Sequence, residues 1–315
     1  MSTPPQVLVI IGPTASGKTD LAVAVAERLI AAGRPAEVIN ADSMLVYRGM
    51  DIGTAKPTLA ERRGVPHHLI DIMDITATAT VAEFQTLARD AITDCRGRGV
   101  LPILVGGSAL YVRAIVDHFE FPGTEPAIRA RWEDELARVG AEELHRVLGA
   151  KSPEAAADIL PGNGRRIVRA LEVIELTGSW TPTLPEWRYA LPGVVQVGLD
   201  LPRPELDRRI AERVDRMWAA GFVREVRELE AQGLRAGRTA SRALGYRQVL
   251  QFLAGECTED EAKQATITGT RRFARKQQGW FARDDRITWL TVGDTGPGPE
   301  VLVEHTLAVL GHWGT

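Results

Sequence analysis

Cysteine is scarce in this 315-residue chain: there are two, Cys95 and Cys257. A pair so far apart gives no metal-ligand spacing and no disulfide framework, and it suits a reducing compartment. Histidine is sparse as well, six in all, with His67-His68 the only adjacent pair. Neighbouring side chains share a metal poorly, so no metalloenzyme is read from them. No apolar run approaches membrane-spanning length, and Met1–Gln6 is polar without a basic start. Neither a signal peptide nor a membrane span is expected, and the expected location is cytoplasmic. A charge excess is missing too: the net charge is -3, with 25% charged and 44% hydrophobic residues. That is an ordinary globular composition without a global nucleic-acid signature, so any basic surface must be local. There is no internal repeat and no long low-complexity segment.

What is present begins with Gly12-Pro13-Thr14-Ala15-Ser16-Gly17-Lys18-Thr19. Two glycines five apart, then Lys and Thr, sit between an apolar run (Val7–Ile11) and a helix-like run (from Asp20). In that context the pattern is a phosphate-binding loop. Glycines let several N–H groups converge on one anion, and the helix N-terminus adds a favourable dipole. Lys18 can place its charge on terminal phosphates, and the Thr19 hydroxyl can ligate Mg2+. Nucleotide-using enzymes of this class also hold the metal with an acidic strand end. That partner is hard to find here. Leu101–Val105 runs into Gly106-Gly107-Ser108, and Asp200 is followed by Leu201-Pro202 as at an ordinary strand exit.

The hydrophobic periods place strands at Val7–Ile11, Glu37–Asn40, His67–Ile72, Leu101–Val105, Val194–Leu199 and Ile287–Leu290. They alternate with helices over the first 121 residues and resume at 193. This predicts an α/β fold, a P-loop NTPase-like parallel sheet flanked by helices, built from residues 1–121 and 193–315. Between them, residues 122–192 read as an all-helical insertion domain, opened by Pro122-Gly123 and closed by the Pro- and Trp-containing stretch Trp180–Pro192. Gly293–Pro299 reads as a surface loop.

Asp42 and Ser43 follow the second strand. Ligands of parallel sheets bind outside the carboxyl ends of strands, so Asp42 is a candidate general base facing the phosphate loop; a helix cap is the other reading. Arg165, Arg166 and Arg169 share one helical face, Arg242 and Arg247 flank Gly245-Tyr246, and Arg271, Arg272, Arg275, Lys276 and Arg283 run with Phe273, Trp280 and Phe281. Basic residues mixed with aromatics suit phosphate contact with base stacking, and solvated helix faces account for the same pattern. Arg209 and Arg213, spaced i, i+4, could reach a pyrophosphate or pair with Glu205, Glu212 or Asp215.

Together these segments resemble the tRNA dimethylallyltransferases, also called tRNA isopentenyl transferases, of bacterial type. The resemblance rests on Gly12–Thr19, on Asn40-Ala41-Asp42-Ser43 with Tyr47, and on Met50-Asp51-Ile52-Gly53-Thr54-Ala55-Lys56-Pro57. It continues through Pro66-His67-His68-Leu69-Ile70-Asp71, Val105-Gly106-Gly107-Ser108 with Leu110-Tyr111, and Arg169-Ala170-Leu171-Glu172-Val173. Arg213-Val214-Asp215-Arg216-Met217, Gly221-Phe222 and Ala243-Leu244-Gly245-Tyr246-Arg247-Gln248 complete it. It implies transfer of a dimethylallyl group from dimethylallyl diphosphate to the exocyclic amine of the adenosine on the 3′ side of the anticodon, releasing diphosphate. The loop Gly12–Thr19 would then hold prenyl diphosphate rather than ATP, with Arg213 as a second cation and Mg2+ on Thr19. Asp42 would be the base, with Lys18, Ser108 and Arg213 also catalytic. Asp42, Ser43, Met44, Leu45 and Ser108 would meet tRNA, as would Arg165, Arg166, Ile167, Val168 and Arg169, and Arg242, Ala243, Leu244, Gly245, Tyr246 and Arg247. The helical insertion would lie against the anticodon stem-loop, and the chain would act as a monomer. Ser108 stands where the family usually has Thr, which keeps the hydroxyl and loses a methyl group. Ile287–Thr315 lacks the cysteines of the zinc finger that some eukaryotic relatives carry. The alternative reading is a P-loop small-molecule kinase using ATP.

Overall fold

The computed structural model describes residues 7–180, 186–294 and 296–311. Six strands form one sheet: β1 Val7–Ile11, β2 Ala36–Asn40, β3 His67–His68, β4 Leu101–Gly106, β5 Val194–Asp200 and β6 Ile287–Thr291. Their spatial order is β3-β2-β4-β1-β5-β6, and every neighbouring pair is parallel. Parallel neighbours need crossovers, which here are mostly helical, so both faces are covered and a central strand becomes apolar throughout. β1 shows this: all five of its residues are buried. The pleat divides them. Val7, Val9 and Ile11 face one layer with Ile39, Tyr47, Phe84 and Ile92. Leu8 and Ile10 face the other with Leu21, Val25, Leu29 and Leu206.

Strand direction decides where chemistry can sit. The segments after β1, β2 and β4 all leave the same edge, and β4 lies between β1 and β2. The chain therefore puts the Gly12–Thr19 loop, Asp42 and Ser108 on three adjacent strand ends.

The described chain divides into two compact units. One runs His118–Arg188; the other comprises the residues before and after it. In the first, helices Pro126–Val139, Ala141–Lys151, Pro153–Asp158 and Gly164–Thr177 surround Leu144, Leu148, Ile159, Ile167, Val168 and Leu171. The helical runs and their Pro-containing ends place these boundaries at 122 and 192. In the second unit, Asp117 and Tyr189 form an antiparallel bridge, so the chain leaves and rejoins the α/β unit at paired residues. The polar stretch Met1–Gln6, and residues 181–185 of the Trp- and Pro-containing stretch, lie outside the described residues. Among the described residues, no helix is long and apolar enough to cross a membrane.

Several elements differ from the sequence expectation, a short helix at Leu59–Arg62 among them. β3 stops at His68 because Leu69 and Asp71 take positive φ (61° and 58°). There the Leu69 carbonyl accepts from Asn40, and Asp71 turns to Lys56. The phosphate-loop helix starts at Lys18 rather than Asp20. The expected surface loop Gly293–Pro299 ends at Gly298, and Pro299–Leu310 is a helix the sequence does not announce; its proline occupies the first turn, where a missing N–H costs nothing.

Candidate active site

Lys18 and Thr19 open the first helix, and the loop before them is folded tightly. Ala15 sits in the left-handed region at φ 64°, a strain of the kind that clusters at ligand clamps. The Ser16 hydroxyl is buried and has no partner among the described residues. The Lys18 ammonium curls back to the Pro13 carbonyl at 2.6 Å. The Thr14 N–H donates to Gln277 Oε1 at 3.0 Å, across 263 residues of sequence. Burial pushes the Lys18 pKa down to about 7; Arg213 acts in the same direction and Asp42 opposes it. An anion arriving here meets a desolvated cation whose charged form it would stabilise.

Asp42 sits just past β2. Its N–H donates to Asn40 Oδ1 at 2.7 Å, and its own Oδ1 accepts from the Met44 N–H at 2.9 Å. This is an Asx turn, not the start of a helix. Among the described residues Oδ2 has no protein partner.

The end of β4 brings the third segment in. A Cβ on Gly106 would lie 2.7 Å from the Ala41 Cβ, and one on Gly107 would lie 2.5 Å from Gln277 Nε2 and 3.2 Å from the Gly12 carbonyl. Only glycine lets the loops after β1, β2 and β4 approach this closely. Ser108 then begins the helix Ala109–Val116 with its side chain making no cap hydrogen bond.

Arg213 comes from the helix Arg203–Ala219. Its Nη2 donates to the Thr54 carbonyl at 3.1 Å. Burial lowers its pKa, the field of Asp42 raises it, and Arg216 lowers it. The i−4 neighbour Arg209 pairs instead with Glu205 at 2.6 Å. The glycine-dotted loop carrying Thr54 is pinned by Lys56, whose buried ammonium reaches the Tyr47 carbonyl (2.8 Å), Asp51 (2.6 Å) and Asp71. A buried cation with two carboxylates and a carbonyl is well compensated, which accounts for Asp51, Lys56 and Asp71 as a set.

The geometry thus gathers the tightly folded Gly12–Thr19 loop, the Asp42 carboxylate and Ser108 hydroxyl, each with an oxygen unpartnered among the described residues, and the cations Lys18 and Arg213. The family model for IPP transferase matches residues 45–284. The chain belongs to the IPP transferase family. Its relatives include proteins named tRNA dimethylallyltransferase. The one from Thermobifida fusca is 62% identical over 285 residues, covering 90% of this chain and 89% of that protein. That of Cutibacterium acnes is 60% identical over 283 residues, with the same coverage. Among solved structures, the Bacillus halodurans tRNA isopentenylpyrophosphate transferase superposes with a TM-score of 0.71 at 39% identity, covering 97% of this chain and 95% of that one. A eukaryotic dimethylallyltransferase acting on tRNA gives 0.77 at 26% identity, covering 91% and 74%.

In this IPP transferase the remaining candidates fall into two kinds. Arg165, Arg242 and Arg247 are exposed and have no ion pair among the described residues. Arg166 is exposed and pairs with Asp158 at 2.7 Å. Ser43, Met44, Leu45 and Leu244 are half-buried. By contrast Ile167, Val168, Ala243 and Tyr246 are buried. Arg169 is an internal strut, bonded to the buried Glu172 (2.7 Å) and to the Pro122 and Gly123 carbonyls. Of the third basic run, Phe273 is exposed, Phe281 is buried, and Arg271 bonds the Asp207 carbonyl.

Sequence reading missed Gln277 and Glu225. Nothing local marks either, because both act on backbone N–H groups of segments far away in the chain. It also treated His67-His68 as a pair, whereas His68 joins Glu37 (2.7 Å) and Cys95 (3.9 Å) from other elements. Arg98 bonds both Glu37 carboxylate oxygens there (2.9 and 2.7 Å). With the carboxylate so engaged, this cluster is a packed polar network.

Proposed function

We propose that this IPP transferase moves a dimethylallyl group from dimethylallyl diphosphate to tRNA, and that the acceptor is the exocyclic amine of the adenosine 3′ to the anticodon. The observation that carries this is the shared sheet edge, with the phosphate loop, Asp42 and Ser108 on adjacent strand ends. In this reading the Gly12–Thr19 backbone, Lys18 and Arg213 hold the diphosphate. Asp42 Oδ2 accepts the amine proton as nitrogen bonds the prenyl carbon. The carbon–oxygen bond breaks, and the diphosphate leaves with the electron pair. An aryl amine is a weak nucleophile, so proton removal during attack lowers the barrier. Lys18 and Arg213 meet the charge that grows on the leaving oxygens. Ser108 offers its free hydroxyl to the adenosine or a nearby phosphate.

The Thr19 hydroxyl lacks a protein partner among the described residues, and one hydroxyl plus substrate oxygens is the donor set a hard divalent ion takes. Mg2+ held there would neutralise charge on the diphosphate. The target base must leave the loop's stack to reach Asp42. The exposed arginines 165, 166, 242 and 247 are read as phosphate contacts. The helical unit is read as the receptor of the anticodon stem-loop, and the chain as a monomer working in the cytoplasm.

The test incubates the protein with labelled dimethylallyl diphosphate, Mg2+ and unmodified tRNA whose anticodon loop is rich in adenosine. Label should enter the RNA at the adenosine 3′ to the anticodon. ATP consumption with no label in RNA would overturn the reading in favour of a small-molecule kinase.

A further inference from the structure

Glu225 lies in the helix Phe222–Ala231 and faces the loop after β2. Its carboxylate collects four donors. Oε2 accepts the N–H groups of Asp51 (3.1 Å) and Ile52 (2.6 Å). Oε1 accepts the Gly53 N–H (3.2 Å) and the Tyr246 hydroxyl (2.6 Å). Three consecutive backbone N–H groups on one carboxylate fix the path of a turn. The turn is clamped from behind as well: a Cβ on Gly53 would lie 2.1 Å from the Phe222 ring and 2.6 Å from the Tyr246 ring. One residue on, the Thr54 carbonyl receives Arg213 Nη2. Burial and the Glu225 charge push the Tyr246 phenol well above its ordinary pKa, so it remains a donor.

We propose that Glu225 and Tyr246 are positioning residues for the transfer reaction: they lock the turn 51–54 so that the Thr54 carbonyl holds the Arg213 guanidinium beside Lys18 and Asp42. The inference rests on reading Arg213 as a diphosphate contact. Its physical sense lies in the order of the groups. A carboxylate directly on Arg213 would cancel the positive charge that the leaving diphosphate needs. A neutral carbonyl orients the guanidinium through one N–H and leaves its other donors and its charge unspent. The negative charge that orders the assembly stands one step back, balanced by backbone N–H groups and a phenol. Gly53 and the aromatic pair Phe222–Tyr246, whose rings meet edge to face at 5.0 Å, give the turn no room to drift.

The experiment compares Arg213→Gln, Glu225→Gln and Tyr246→Phe with the doubles Arg213→Gln/Glu225→Gln and Arg213→Gln/Tyr246→Phe. Prenyl transfer, tRNA affinity and thermal stability are measured on each full chain. Glu225→Gln should lower kcat/KM for dimethylallyl diphosphate on the order of tenfold, the scale of losing a support behind a binding group. Tyr246→Phe removes one oxygen and should act in the same direction without unfolding, so it carries the test if Glu225→Gln is unstable. Tyr246 is buried, so tRNA affinity should stay at the wild-type level. In the Arg213→Gln background neither substitution should cost anything more, because the group they position is gone. Losses that multiply with Arg213→Gln, or wild-type rates for both single variants, overturn the proposal. Wild-type transfer by Arg213→Gln alone overturns the reading of Arg213, and the proposal with it.

Discussion

Asp42 holds a turn with one carboxylate oxygen and leaves the other without a protein partner among the described residues. The two roles can be separated by chemistry. Asp42→Asn keeps an oxygen for the Met44 N–H but has no basicity, whereas Asp42→Ala loses both. If Asp42 is the base, both variants should lose at least about a hundredfold in turnover while tRNA affinity is retained. A nearly active Asn variant beside an inactive Ala variant would mark Asp42 as a turn residue only. The same scale separates arginines that sequence treats alike. Arg166 and Arg247 are exposed, so Arg166→Ala and Arg247→Ala should each weaken tRNA binding and flatten its salt dependence, lowering the log–log slope by about one. Arg169→Ala should instead melt the helical unit earlier, because it leaves the buried Glu172 with only Arg129. Binding titrations at several salt concentrations, alongside melting curves, check both.

At the level of elements, β2 is tied to the helix Val81–Gly97 and its cap by Glu37 and Arg98. The bidentate Arg98 contact holds the Glu37 pKa down at about 2, helped by His68 and Cys95, against burial that would raise it. A carboxyl lowered on folding stabilises the fold above its ordinary value of 4.5, and that contribution fades as pH falls from there towards 2. Arg98→Ala should therefore lower the melting temperature at neutral pH by about 2 °C, since the pair is partly exposed. The gap to wild type should close as the pH drops through the acid range; a constant gap would show that Glu37 is not its source. Elements were also what sequence read best. Strands with uninterrupted apolar runs, β1 and β4, and helices with one clear apolar face were legible because their burial is written in local spacing. β3 was over-extended because its end is set by Asn40 and Lys56, which lie in other segments. The placement of the Gly12–Thr19 loop and Asp42 just past β1 and β2 was legible for a related reason: strand ends and motifs are local. Gln277 and Glu225 were not, since their partners are backbone N–H groups 263 and about 170 residues away, and backbone groups leave no mark in a sequence.

For the molecule as a whole, Asp117 is the junction that matters. It is fully buried, paired with Arg113 and Arg286, and bridged to Tyr189. Replacing residues 118–188 by a short Gly/Ser linker should leave the α/β unit folded, because the two cut ends already lie side by side. Such a protein should bind dimethylallyl diphosphate and lose most of its affinity for tRNA, as calorimetry and gel shift would read. Undiminished tRNA binding would remove the helical unit from the RNA interface. The parallel order of the sheet has a consequence for biosynthesis. β1 is made before the other five strands described, yet its two neighbours are β4 and β5, so its second flank waits for residues 194–200. Until those residues leave the ribosome, the nascent chain carries an open edge of five apolar residues, Val7–Ile11, a template for pairing with any other chain. Translation that stalls within the helical unit would release an aggregation-prone fragment, and the full-length protein would depend on being shielded until β5 closes the edge.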